Sequence, residues 1–119
     1  MNKKNIMIFL TILLFNSEIA FSKIEINPSE NAYDQIQEAL ILAEPYEEIY
    51  LTEGLYNLED GLSLDVDNVI ISGDGHNKTI LSFKNQKSGA EGLLVTSNGV
   101  TLRDFAVEDT IGDAIVVKK

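Results

Sequence analysis

The sequence predicts an all-β chain, a right-handed parallel β-helix (solenoid) with an N-terminal amphipathic capping helix. Two observations carry that expectation. The first is internal repetition: DGLSLDVDNVIIS (Asp60 to Ser72) reads above EGLLVTSNGVTLR (Glu91 to Arg103). Leu62 then falls over Leu93, Leu64 over Val95, Val69 over Val100 and Ile71 over Leu102. DAIVVKK (Asp113 to Lys119) repeats the start of the unit, with Ile115 under Leu93 and Val117 under Val95. Recurrence at intervals of roughly 20–50 residues marks a solenoid. The second observation is the period within each copy. Apolar residues alternate with small or polar ones, which is the pattern of a strand and not of a helix.

In chain order, the first 22 of 119 residues read as a secretory signal peptide. Lys3 and Lys4 give a positive start, Ile6 to Phe15 a nearly unbroken apolar run, and Ala20-Phe21-Ser22 the small-bulky-small form of a cleavage site. A spanning helix needs ~20 apolar residues, about twice what this run supplies, so cleavage is expected and not anchoring. No cysteine follows the cleavage site, so no lipid anchor is indicated. The protein is expected to be exported, periplasmic or secreted, with no membrane attachment after cleavage.

Residues 23–47 are expected to form an N-terminal strand and the capping helix. KIEIN (Lys23 to Asn27) alternates charged and apolar residues. Asn31 suits a helix N-cap, with Asp34 placed as in a capping box. Ala32, Ile36, Ala39, Leu40 and Ala43 share one helical face, and Pro45 stops the helix. Such a helix would cover the open backbone row and core side chains of a first coil.

Residues 48–119 are expected to be the coils. EIYL (Glu48 to Leu51) is a strand and Gly54-Leu55-Tyr56 leads into a second. The corners are Asp67-Asn68 and Asn98-Gly99, and Asn68 matches Gly99 in register; both residue types tolerate positive φ. TILSF (Thr79 to Phe83) closes one coil and Phe105 to Val107 the next, while KNQKSGAE (Lys84 to Glu91) loops out of the side. A β-sandwich would place hairpin turns between strands, and no Asn-Gly or Asp-Gly here joins two strands as a hairpin. The chain stops within a strand, at Val116 to Lys119, which predicts truncation at the C-terminus and end-to-end self-association through an open coil.

The formal net charge is −10, from 9 basic and 19 acidic residues. That balance argues against nucleic acid and anionic membrane as partners, since both call for clustered Lys and Arg. The absence of cysteine excludes disulfides and thiolate metal sites.

IQEALILAEPYEEIYLTEGLY, LSLDVDNVIISGDGHNKTILSF and VTLRDFAVEDTIGDAIVV together resemble the N-terminal portion of exported right-handed parallel β-helix repeat proteins of the pectin-lyase-like superfamily. The resemblance covers essentially all of the chain after the signal peptide. It implies the fold strongly and the function weakly, since that superfamily includes polysaccharide lyases, hydrolases, epimerases, adhesins and proteins of no known role. A lyase or epimerase activity is implied by the resemblance alone. Its catalytic carboxylates and basic residues usually lie in middle coils, beyond this chain, so no catalytic residue is carried over.

Asp60, Glu91 and Asp113 occupy one register position in three copies. Stacked in a column, they are candidate calcium ligands, the alternative being that each points to water; calcium wants six to eight oxygens. No other cofactor is called for. Asp104, Glu108 and Asp109 lie close by, and only their separation would say whether a pair suits glycoside hydrolysis. SGDGHNKT (Ser72 to Thr79) lacks the phosphate-loop spacing and precedes a strand, so Gly73 and Gly75 read as corner residues. His76, the one histidine, reads as a solvated turn residue, and Asn77-Lys78-Thr79 as a chance glycosylation sequon. The expected function is a scaffold that binds, and by resemblance processes, an extracellular polysaccharide. The alternative is a non-catalytic periplasmic or surface structural and interaction protein.

Overall fold

The computed structural model describes residues 21–119. Most of the expected signal peptide (residues 1–22) therefore lies outside the described residues. In chain order the elements are β1 (Lys23–Ile26), α1 (Ala32–Leu42), β2 (Glu48–Leu51), β3 (Gly54–Asn57), β4 (Leu62–Leu64), β5 (Ile70–Ser72), β6 (Thr79–Ser82), β7 (Leu93–Val95), β8 (Thr101–Arg103), β9 (Ala106–Glu108) and β10 (Ile115–Val117). The chain is thus mostly strand with one short helix. β1 begins at Lys23, the residue that cleavage after Ser22 would make the first.

All strand pairs are parallel, and they fall into three sheets. Sheet A runs β1-β2-β5-β8, sheet B β3-β6-β9 and sheet C β4-β7-β10. From β2 onward the chain visits A, B and C in that order three times. The register read from the repeats is the register of the ladders: Leu62 pairs with Leu93, Leu64 with Val95, Ile71 with Leu102, Ile115 with Leu93 and Val117 with Val95.

The alternation explains the core. Ile49 and Leu51, Tyr56 and Leu58, Leu62 and Leu64, Val69 and Ile71, Leu81 and Phe83, and Leu93 and Val95 are all buried in one cluster, while their neighbours face outward. A side chain on a strand alternates faces at a period of two, so each three- or four-residue strand gives one or two residues to the interior. At about 25 cal/mol per Å² of apolar area, burying one such side chain stabilises by roughly 1.5–3 kcal/mol.

Corners turn through left-handed backbone. Asn68 has φ 61° and Gly99 φ 68°, as the register of the two copies requires. Tyr46, which the sequence did not mark, joins the same column with φ 70°. The Tyr46 N–H donates to Asn68 O (2.9 Å) and the Asn68 N–H to Asn98 O (2.8 Å), so the corners stack one on the next.

Helix α1 buries Ala32, Ile36, Ala39 and Leu40 and packs chiefly on β4, with lesser contact to β1 and β3. Its N-terminus differs from expectation. The Asn31 side chain makes no capping bond. Ser29 does that work instead: its hydroxyl accepts the Asn31 N–H (3.2 Å) and its carbonyl the Ala32 N–H (3.2 Å). At the other end Ala43 is already extended (ψ 143°), so the helix stops at Leu42, three residues before Pro45. On the far side of the sheets Ile115 and Val117 are exposed, and Val100, Leu102, Phe105 and Val107 are only partly buried.

Candidate binding face on sheet A

The outward residues of sheet A form two rows across the strands. One aligns Lys23, Glu48, Ile70 and Thr101; the other aligns Glu25, Tyr50, Ser72 and Arg103. Parallel pairing in strict register is what brings the ends of the chain together here, 55 residues apart from Glu48 to Arg103.

Glu48 is the hub of the face. Arg103 Nη2 donates to its Oε1 at 2.6 Å, and Lys23 Nζ lies 3.6 Å from its Oε2. Partial burial alone would push the Glu48 pKa up. Hydrogen bonds from Arg103 and Ser72, with the charge of Lys23, outweigh that and hold it below the usual carboxylate value. Lys23 Nζ also stands 4.4 Å from the centre of the Tyr50 ring, a cation–π arrangement. The Tyr50 hydroxyl donates to Asp74 Oδ1, and this bond to a carboxylate, with desolvation second, raises the tyrosine pKa to about 12. Asp74 Oδ2 in turn accepts the Glu53 N–H at 2.7 Å.

Two cavities meet on the Arg103–Glu48 pair. One, of 440 Å³, is walled by Phe21, Tyr46 and Ile70. The other, of 400 Å³, is walled by Tyr50, Ser72, Gly73, Asp74 and Asp104. Together they place an aromatic ring on each side of a polar centre that both donates and accepts. The rings differ in access, since Tyr46 is 55% exposed and carries Phe21 edge-on at 6.1 Å. A groove of 460 Å³ between β1 and α1 is slightly larger. It is lined by Ile24, Ala39 and Leu42 with Glu25 and Glu38, and it holds neither an aromatic ring nor a cation.

The expected calcium ligands lie elsewhere, on the approach to sheet C. Asp60, Glu91 and Asp113 keep their common register, as the Gly92 N–H to Asp113 O (3.1 Å) and Leu62 N–H to Gly92 O (2.8 Å) bonds show. Their carboxylates do not gather: among the described residues no group of three His, Cys, Asp or Glu side chains stands close enough to hold a metal ion. Asp60 Oδ1 accepts the Gly61 N–H at 2.8 Å, and Asp113 is exposed.

The SGDGHNKT stretch is a packed corner. A Cβ on Gly73 would stand 2.4 Å from Asp104 O, and Thr79, fully buried, accepts the Asp74 N–H (2.9 Å) and donates to Leu51 O (3.1 Å). His76 is exposed in the turn.

Sequence reasoning missed Glu48, Tyr50 and Arg103. The signal was present. Arg103 is the one arginine of the chain, and sliding EEIYL over DNVIIS extends the repeat one copy upstream, which sets Tyr50 beside Ser72 and Ser72 beside Arg103. No family model matches the chain, and neither a curated protein nor a solved structure matches it significantly.

Proposed function

We propose that this chain is an exported right-handed parallel β-helix whose sheet A face binds an extracellular polysaccharide. The threefold visit to sheets A, B and C in constant order supports the solenoid, and the near-universal right-handedness of parallel crossovers supports its hand. The Lys3-Lys4 start, apolar run and Ala20-Phe21-Ser22 site support export. Likeness to the pectin-lyase-like superfamily is part of the same proposal.

One observation carries the binding role: a hydrogen-bonding centre of Lys23, Glu48 and Arg103 has Tyr46 and Ile70 on one side and Tyr50 on the other, and cleavage after Ser22 would remove only Phe21 and Ser22 from this lining. Sugar rings present apolar C–H faces to aromatic rings and hydroxyls to charged side chains, and the face offers both.

The state of its carboxylates favours binding without glycoside hydrolysis. A glycosidic general acid needs a raised pKa, whereas Glu48 is held low by Arg103. Asp74 has both oxygens engaged, by Tyr50 and by the Glu53 N–H. The test is retention on a panel of immobilised polysaccharides with product detection on the eluate. Retention of at least one glycan that Arg103→Ala abolishes, with no fragments released, supports the proposal. Uniform non-retention overturns it, and released fragments overturn the non-catalytic part.

A further inference from the structure

We infer that the sheet A face selects an uncharged glycan and rejects polyuronates, an inference that rests on the polysaccharide-binding role proposed above. The cations of the face are already committed. Arg103 and Lys23 share one carboxylate, Glu48, at 2.6 and 3.6 Å. Lys23 is further held over the Tyr50 ring at 4.4 Å.

The surrounding charge is negative. Asp74 and Asp104 line the polar cavity, and Glu25 stands next to Tyr50 in the outward row. The two side-chain cations, with the α-ammonium that cleavage after Ser22 would leave on Lys23, therefore face four carboxylates, Glu25, Glu48, Asp74 and Asp104, and the balance of the face stays negative. A uronate carboxylate would bring a further negative charge to this cluster, and in competing with Glu48 for Arg103 it would leave Glu48 with Lys23 alone. Like-charge juxtaposition of this kind is the usual means by which an interface rejects a wrong partner.

A neutral sugar meets no such conflict. Its hydroxyls donate to the carboxylate oxygens that remain and accept from the free N–H groups of Arg103 and Lys23, and the Arg103–Glu48 pair stays intact. Its apolar face has Tyr46 and Ile70 in the neighbouring cavity. Polar recognition here depends on hydrogen bonds and not on net charge, so added salt has little to screen.

The experiment compares hexuronate oligosaccharides of several linkages with the same oligosaccharides after reduction of each carboxylate to a hydroxymethyl group. Backbone and linkage are unchanged and only charge is lost. Calorimetric titration of the protein should show the reduced member of a pair binding at least about tenfold more tightly, a difference of roughly 1.4 kcal/mol, with little dependence on salt. In Glu48→Gln, which frees Arg103 and removes one negative charge, uronate affinity should rise by about tenfold or more. A uronate that binds the unaltered protein as tightly as its reduced partner overturns the selection but leaves the polysaccharide role standing. Failure of Glu48→Gln to gain uronate affinity overturns the charge argument. If no oligosaccharide of either kind binds, the polysaccharide role falls and the selection with it.

Discussion

The side chain of Gln37 hydrogen-bonds Ser63 as a neighbouring strand would: its Nε2 donates to Ser63 O at 3.0 Å and its Oε1 accepts the Ser63 N–H at 2.9 Å. Ser63 is the middle residue of β4, whose other edge pairs with β7. A single amide on α1 thus occupies the backbone groups that an added strand would use, while Tyr33 on the same helix donates to Gly61 O at 3.2 Å. The helix is held to the edge of β4 by hydrogen bonds as well as by apolar packing.

Gln37→Leu removes both bonds and keeps the helix. Because the site is exposed, water recovers part of the loss, and the expected destabilisation is about 1 kcal/mol by urea unfolding. Gln37→Glu keeps the acceptor alone and should fall between. Equal stability of all three proteins would show that the amide pairing contributes nothing.

The corner column makes a second prediction. A Cβ on Gly99 would stand 2.2 Å from Asn68 Oδ1, at a φ of 68° that side chains resist. Gly99→Ala should cost at least about 1–2 kcal/mol. Tyr46 already bears the same strain at φ 70°. Tyr46→Asn should raise stability by up to about 1 kcal/mol and weaken glycan binding, a split between stability and affinity that marks a residue kept for its ring.

The parallel strand pairing was legible because repeated strands that pair in one sheet must keep register. A one-residue slip would turn Leu62, Leu64, Leu93 and Val95 outward, so the apolar alternation fixed which face turns inward and the repeat itself which residues pair. The binding face was less legible. Its members are outward residues, on which no core requirement acts, and half of each row belongs to β1 and β2, upstream of the copies that repeat clearly. The cap was half legible: the apolar face of α1 showed in its period, but Asn31 looked like the N-cap while Ser29 supplies the bonds. Caps depend on local geometry that two nearby polar residues can satisfy equally well in sequence.

Glu48 and Tyr50 give opposite pH signatures. The Glu48 pKa is lowered in the folded protein, so its contribution to stability is present above the unfolded carboxylate value, near 4.5, and is lost as pH falls through the folded one. Tyr50 is raised from 10.0 to about 12, so its contribution is full below pH 10 and declines as pH rises toward 12. NMR titration should show Arg103→Leu moving Glu48 upward and Asp74→Asn returning Tyr50 toward 10.0. Unshifted titrations would contradict the two hydrogen bonds.

Among the described residues the outer edges of β8, β9 and β10 carry no further strand, and Val117 is 67% exposed on the last of them. We propose that the 119-residue polypeptide, prepared as such, self-associates through these edges. Val117→Lys should shift light scattering toward the monomer. A monomeric parent protein would refute the edge as an assembly surface.

The most direct test of the sheet A face is an NMR titration of the protein with a neutral oligosaccharide that it retains. Shift changes should cluster on Lys23, Tyr46, Glu48, Tyr50 and Arg103 and vanish in Arg103→Ala. Changes confined to the β1–α1 groove, or to Asp60, Glu91 and Asp113, would place the ligand elsewhere and contradict the assignment.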